Sequence, residues 1–514
     1  MSAAVMPPRQ SHRIAATLAT KLIPAVLGLG LAACAARPNW KAPASPAATA
    51  YRRGPQPRTT AVAGGISQTF RTDGQIAADW YRLLGSDSLD RLVDQALTGS
   101  PTLAAAQARL EAAGHELDAA SGARYPGVDI AAGASRNHAN GSQIGISNPL
   151  FTNVFDLYTA NVSVHYALDL AGRQTRAIEE SAARVDYARD RLLGARLTLV
   201  DNVVIAALTI GAIDDEIAAT RRIVATERNA LEVARNRERL GAAQHIDVLR
   251  ARSTLASTEA SLPDLVKALT AARSRLAVLE GKTPQDFEAP AFSLADFTLP
   301  GQLPVSLPSS LVHQRPDILA AEANLHVASA AVGVATADLY PQITLSANFG
   351  QQGNAAGSMF DSPATVWSIG GSLLYPLFHG HELRNRRAAA VSRFDAAYAD
   401  YRQAVLAAFA QVGNVLAALE QDARALRARD AALRSAHAGY TIVAVQYRAG
   451  AADYTDLLSS ESAWQSALVA QLRARADRLQ DTVALYQALG GGWWNAADQA
   501  HDSTTAAVHA AQQE

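Results

Sequence analysis

RLGAAQHIDVL at residues 239–249 and RAGAADYTDLL at residues 448–458 carry one phrase twice. Each runs Arg-x-Gly-Ala-Ala and then sets an aspartate six positions after the glycine, Asp247 after Gly241 and Asp456 after Gly450. The glycines lie 209 positions apart. Glycine reverses a helix without steric cost, and an acid in the first turn of the next helix suits its positive end. Each phrase therefore reads as the turn of a helical hairpin.

The repetition extends well beyond the turns. PTLAAAQARLEAA from 101 aligns without gaps to PDILAAEANLHVA from 316, and Tyr125-Pro126 meets Tyr340-Pro341, an offset of 215. Gly172 pairs with Gly380 and Gly281 with Gly490. From Gly172 to Gly241 is 69 residues and from Gly380 to Gly450 is 70, while the next intervals, to Gly281 and to Gly490, are both 40. The chain is a tandem duplication of a unit of about 210 residues, too long for a solenoid repeat.

Each half has the same order. A helix over about 100–123 or 316–339 opens on a proline, whose missing N–H costs nothing there, and stops at the Tyr-Pro pair. Strands follow, because Ile343, Leu345, Ala347 and Phe349 alternate with polar or small residues, as do Val162, Val164, Tyr166 and Leu168. Trp367, Ile369, Gly371, Leu373 and Tyr375 mark a fourth strand. The glycine- and asparagine-rich stretches NHANGSQIGISN and GQQGNAAGSMFDSP join the strands, giving one hairpin per half (125–170 and 340–378). Long helices are expected over 173–240 and 382–449, with returns over 245–281 and 453–490. Residues 173–240 hold no proline, and Val185, Ala188, Leu192, Ala195, Leu199 and Ala206 trace a coiled-coil seam. Such a helix spans roughly 100 Å at 1.5 Å per residue. The first helix and the return sum to nearly the same length, so the two short helices are expected end to end.

The N-terminus is of another kind. Arg9, Arg13 and Lys21 form a basic leader without acids, a short apolar run covers 22–31, and Leu31-Ala32-Ala33-Cys34 closes it. This reads as a signal peptide, 1–33, ending in a lipobox that makes Cys34 the lipidated N-terminus; Ala35 and Ala36 then imply outer-membrane sorting. Cys34 is the one cysteine of 514 residues, so no disulfide is expected. A net charge of −1 and 18% charged residues leave no footprint for nucleic acid. The remaining divisions are an N-terminal strap (34–99), the first repeat (100–283), a proline-rich linker (284–314), the second repeat (315–492) and a tail (493–514).

Four two-faced strands cannot close a barrel, and an open sheet cannot sit in lipid. Three copies would supply twelve antiparallel strands. No uninterrupted apolar run of 18 residues follows the signal, so a spanning helix is not expected. The apolar stretch 203–213 needs a cover, for which the strap, the linker and the tail are available.

DWYRLLGSDSLDRLVDQAL (79–97), HQRPDILAAEANL (313–325), LYPQITLSA (339–347), YRAGAADYTDLL (447–458) and LYQALGGGW (485–493) together resemble the signatures of the outer membrane factor family. These are TolC-like proteins, and the likeness is greatest to the OprM/NodT lipoprotein branch. The resemblance implies an α+β membrane protein whose homotrimer sets a 12-stranded β-barrel on an α-helical barrel, with a mixed equatorial region. It implies an exit duct for a tripartite efflux system, with a periplasmic membrane-fusion adaptor, an inner-membrane transporter of the RND type and outer-membrane lipid as partners. It also makes Arg239, Leu240, Gly241, Ala242 and Asp247, with Arg448, Gly450, Ala451 and Asp456, the adaptor-docking tips. The periplasmic gate then falls on Ile442, Val443, Val445, Tyr447 and Arg448, facing Arg235 and Glu238 of the first half, with Tyr447 and Arg448 bonding to Glu238 or to neighbouring chains. Relatives often carry an acid near Ala444; its absence argues against a cation-binding ring.

Other chemistry finds little support. EGKT at 280–283 ends a helix and lacks the leading glycine of a phosphate loop. HGHE at 379–382 reads as a solvated joint, and the twelve histidines otherwise lack ligand spacing. No catalytic residue, metal site or cofactor is expected apart from the covalent lipid. A type I protein-secretion duct shares the expected fold, and a non-channel helical scaffold lipoprotein is the remaining alternative.

Overall fold

The computed structural model describes residues 40–495 except 45–47, 49, 55, 56, 73, 75, 141–151, 307 and 359–363. The signal peptide, Cys34, most of the first strand-joining loop, part of the second, and residues 496–514 lie outside the described residues. In chain order come β1 (Thr69–Arg71), α1 (Asp87–Gly99), α2 (Pro101–Gly122), β2 (Gly127–Asn140), β3 (Thr152–Leu168), α3 (Arg173–Arg239) and α4 (His245–Leu279). Then follow β4 (Gln302–Pro304), a one-turn α5 (Pro308–Leu311), α6 (Pro316–Ala337), β5 (Gln342–Gly353), β6 (Thr365–Leu374), α7 (Glu382–Arg448) and α8 (Tyr454–Ala488). The long helices α3 and α7 each have 67 residues, and the returns α4 and α8 each have 35. All three landmark glycine pairs have positive φ: Gly172 and Gly380, Gly241 and Gly450, Gly281 and Gly490. The chain forms two compact units, each assembled from pieces of both repeats.

One unit comprises residues up to 42, 111–186 and 322–400. It holds an antiparallel sheet in the order β2-β3-β5-β6, two hairpins joined through β3 and β5. The register sorts the side chains row by row. Ile130, Val162, Phe349 and Trp367 stand opposite one another across all four strands, and so do Val128, Val164, Ala347 and Ile369. The intervening rows are polar, such as Asp129, Ser163, Asn348 and Ser368. Directly paired residues share a face, so this register yields one apolar and one polar surface. Within the chain the apolar surface is bare: Ile130 is 83% exposed, Ile369 79% and Trp367 71%. The outer edges of β2 and β6 pair with nothing among the described residues. In the same unit Trp40 stacks on His326 at 4.6 Å, and His326 bonds Glu179.

The other unit comprises 43–110, 187–321 and 401–495. Here the short helices meet end to end. Gly281, just past α4, lies so close to the start of α2 that an added Cβ would sit 2.4 Å from the Gly99 carbonyl oxygen. At the second junction Gly490 stands in the same relation to the Gln314 carbonyl oxygen, at 2.7 Å, just ahead of α6. The apolar middle of α3 is covered as its composition demands. The linker crosses Gly211, and its Leu294 N–H donates to Asp215 at 3.0 Å. Trp80 of the strap stacks on Tyr486 at 5.1 Å, and Gly491 abuts Leu197. β1 and β4 tie strap to linker as a short parallel ladder. Arg478, wholly buried, donates to the carbonyls of Ala63 and Ile66 and to the Gln68 side chain.

The expectation that no helix could cross a membrane needs correction. By length and composition α3, α6 and α7 each contain a stretch apolar enough to do so. Counting uninterrupted apolar runs missed them because single polar residues break each stretch. In α3 half of that stretch is buried inside the chain, Val203, Val204, Ala207, Leu208 and Ile210 completely, which identifies it as core packed against protein.

Candidate functional site

The two repeated phrases form twin turns in the second unit. At the first, Gly241 N–H donates to the Glu238 carbonyl at 2.8 Å and Ala242 N–H to the Arg237 carbonyl at 2.8 Å. At the second, Gly450 N–H donates to Tyr447 at 3.1 Å and Ala451 N–H to Gln446 at 2.8 Å. Both are Schellman motifs, with glycine in the left-handed conformation satisfying the last carbonyls of the helix. The returns start differently. Gln244 and Asp247 make a capping box at α4, while Asp453 begins α8 with Asp456 in its first turn. Leu240 is 82% exposed at the first tip, and Arg239 bonds Asn236 of its own helix.

The tips are held side by side by a small core drawn from four helices: Leu231 and Ala234 of α3, Val248 and Ala251 of α4, Tyr447 of α7, and Tyr454 and Leu457 of α8. Two arginines stitch its rim. Arg237 donates to the Tyr447 carbonyl at 2.9 Å with its guanidinium 4.5 Å from the centre of the Tyr447 ring, and Arg250 donates to Thr455 at 3.0 Å. The Tyr447 carbonyl therefore serves both the Gly450 turn and the neighbouring hairpin.

This geometry redistributes the residues assigned to a gate. Tyr447 is buried, its hydroxyl without a hydrogen-bond partner among the described residues, and it does not bond Glu238. Glu238 instead meets His245 Nδ1 at 2.7 Å across its own turn. Seven residues separate that pair in sequence, and the turn folds them together. Arg448 donates back to the Ala444 carbonyl, and Arg235 pairs with Glu232 on its own helix at 2.7 Å. Val443 packs against the four-helix core, whereas Ile442 and Val445, three residues apart on one face of α7, are 58% and 54% exposed.

One turn above the core lies a feature the sequence reading passed over. Glu227 of α3 and Glu461 of α8 are each 2% exposed. Glu227 Oε1 accepts from Thr258 at 2.9 Å and from Gln465 at 3.0 Å; its other oxygen, and Oε1 of Glu461, find no partner among the described residues. Burial first, and then the charge of Glu227, push the Glu461 carboxyl up to about 7. The signal was present in the periodicity. Glu227 is in phase with buried Val224, Leu231 and Ala234, and Glu461 with Tyr454 and Leu457, so each acid occupies a seam position that should be apolar. Among the described residues no three or more His, Cys, Asp or Glu side chains converge as a metal would require.

The family model for outer membrane efflux proteins matches residues 92–282 and 307–491. The chain belongs to that family. The gap in the match falls on the linker between the repeats. The pyoverdine export outer membrane protein OpmQ of Pseudomonas aeruginosa is 30% identical over 428 residues, 82% of this chain and 89% of its own length. Nodulation protein T of Rhizobium leguminosarum bv. trifolii is 25% identical over 472 residues, 90% of this chain and 95% of its own. The solved outer-membrane channel OprN superposes with a TM-score of 0.80 at 28% identity, covering 90% of this chain and all of that one. An outer-membrane efflux protein of the OprM/NodT type is thereby established, TolC-like in fold.

Proposed function

We propose that this efflux protein is the exit duct of a tripartite system and conducts small molecules passively from a periplasmic adaptor and an RND-type inner-membrane pump to the exterior. The observation that carries this reading is the sheet with one uncovered apolar face, one polar face and two open edges. Lipid suits the first, water the second, and other copies of the chain the edges. Three chains give a twelve-stranded barrel with the apolar rows turned to the bilayer, and gather the helices into a periplasmic tube. Acyl chains on Cys34 supply the anchor; at about 0.8 kcal/mol per buried CH₂ two or more hold stably. The twin turns, from Arg239 to Asp247 and from Arg448 to Asp456, are the adaptor's docking points. Ile442 and Val445, exposed on α7, narrow the mouth, while Tyr447 and Arg237 lock its two hairpins together. Imaging the detergent-extracted protein by electron microscopy tests the reading: threefold particles with a central channel are expected, and monomers or solid rods would overturn it.

A further inference from the structure

We propose that Glu227 and Glu461 form a proton-operated clasp between the two hairpins, shut when Glu461 carries a proton and loosened when it does not. The proposal rests on reading the twin turns as the mouth of a duct, and adds the means by which the mouth is set. Its basis is geometric. Two carboxylates from opposite repeats are buried in the same four-helix junction, each with an oxygen that no donor among the described residues reaches. Glu227 is served by Thr258 of α4 and Gln465 of α8. Oε1 of Glu461 finds no donor among the described residues, and burial beside the Glu227 charge disfavours its ionised form.

The surroundings offer no relief. Around Glu461 α3 contributes Glu227, α7 contributes Tyr440, and α8 contributes Tyr454. His437 lies edge-on to Trp464, itself stacked on Tyr440 at 5.0 Å. The outward pair Arg228–Glu259 bridges α3 and α4, and Arg448 acts on Tyr440. The groups that set the Glu461 carboxyl are burial and Glu227 alone, and both oppose its ionisation. An open cavity of about 860 Å³ borders the two donors to Glu227, lined by Thr258 and Gln465 together with Ser257, Ser261 and Thr220.

The direction follows from linkage. The folded carboxyl titrates near 7, above its ordinary value of 4.5. Its contribution to the shut state is complete below about 4.5, declines as pH rises, and is gone once pH passes about 7. The mouth is tight in acid and slack in neutral to alkaline medium.

Hydrogen exchange of the full-length protein in detergent, followed by mass spectrometry between pH 5 and 8 and corrected for intrinsic rates, reads the clasp directly. In the wild type the opening constant of peptides covering 227–240 and 440–465 should rise on the order of fiftyfold and level off above about pH 7. Glu461→Gln, neutral at every pH, should leave it flat, and Glu227→Gln should move the rise to lower pH by removing the opposing charge. A flat wild-type profile, or the same rise in Glu461→Gln, overturns the proposal. Single-channel recording separates it from the duct reading. Glu461-dependent exchange without conductance at any pH sustains the clasp and defeats the duct; conductance with pH-independent exchange defeats the clasp alone.

Discussion

Tyr447→Phe separates two accounts of the mouth. If the hydroxyl bonded to Glu238 or to a neighbouring chain, its loss would open the channel. The structure puts that oxygen in the four-helix core with no partner among the described residues, the residue only 4% exposed. A buried hydroxyl left unsatisfied costs about 1–3 kcal/mol, so phenylalanine should gain roughly 1 kcal/mol. The ring keeps its place, 4.5 Å from the Arg237 guanidinium and 5.6 Å from Tyr454. Tyr447→Ala removes the ring itself, at about 3–5 kcal/mol for the cavity and about 0.5–2 kcal/mol for the cation–π contact. That is enough to separate the hairpins. In planar-bilayer recordings Tyr447→Phe should open no more often than wild type, and Tyr447→Ala should open freely. Equal opening by the two variants would refute the packing account and place the hydroxyl in a bond between chains.

Three further outcomes follow from the same geometry. Arg237→Ala takes from the Tyr447 carbonyl its donor from the neighbouring hairpin, leaving the Gly450 N–H, and from the ring its cation, so the tips should loosen by about 1–2 kcal/mol, read as faster amide exchange confined to the two hairpins. Gly241→Ala meets open space and has only its positive φ to overcome, about 1 kcal/mol, whereas Gly281→Ala also drives a methyl into the Gly99 carbonyl. Thermal aggregation should therefore begin well below the wild-type temperature for Gly281→Ala and close to it for Gly241→Ala. Arg478→Met leaves the Gln68 amide oxygen unserved in the interior and takes the second donor from the Ala63 and Ile66 carbonyls, which keep each other's N–H, about 1–3 kcal/mol; limited proteolysis should then cut at 57–71, which the wild type protects.

What could be read from the residues was what repeats at short period or at a fixed steric need. Strand faces followed from alternation, because a pleat leaves each side chain only two directions. Helix ends followed from Gly241, Gly281, Gly450 and Gly490, because only glycine enters the left-handed region without penalty. Pairings between distant segments were not legible. Arg237 and Tyr447 are 210 positions apart, and their meeting depends on the rotation of two helices about their own axes, which neither sequence specifies. Nor could the strap be placed. Residues 57–71 have no period, and they are held by Arg478, a charge that the usual reading of an arginine would send to water. Glu227 and Glu461 were visible as breaks in a seam, but only once the seam had been phased against its neighbours.

The duplication has a consequence for symmetry. A mouth built from copies of a single hairpin would set every contact between like and like, and an acid placed at one seam would recur at all of them. Here the counterpart of Glu461 in the first repeat is Arg252, and that of Glu227 in the second is Ala436. Fusing two halves into one gene released them to diverge, so that alternate seams around a ring can differ in kind. A sensing contact can then occupy one class of seam while the other remains free to bear load.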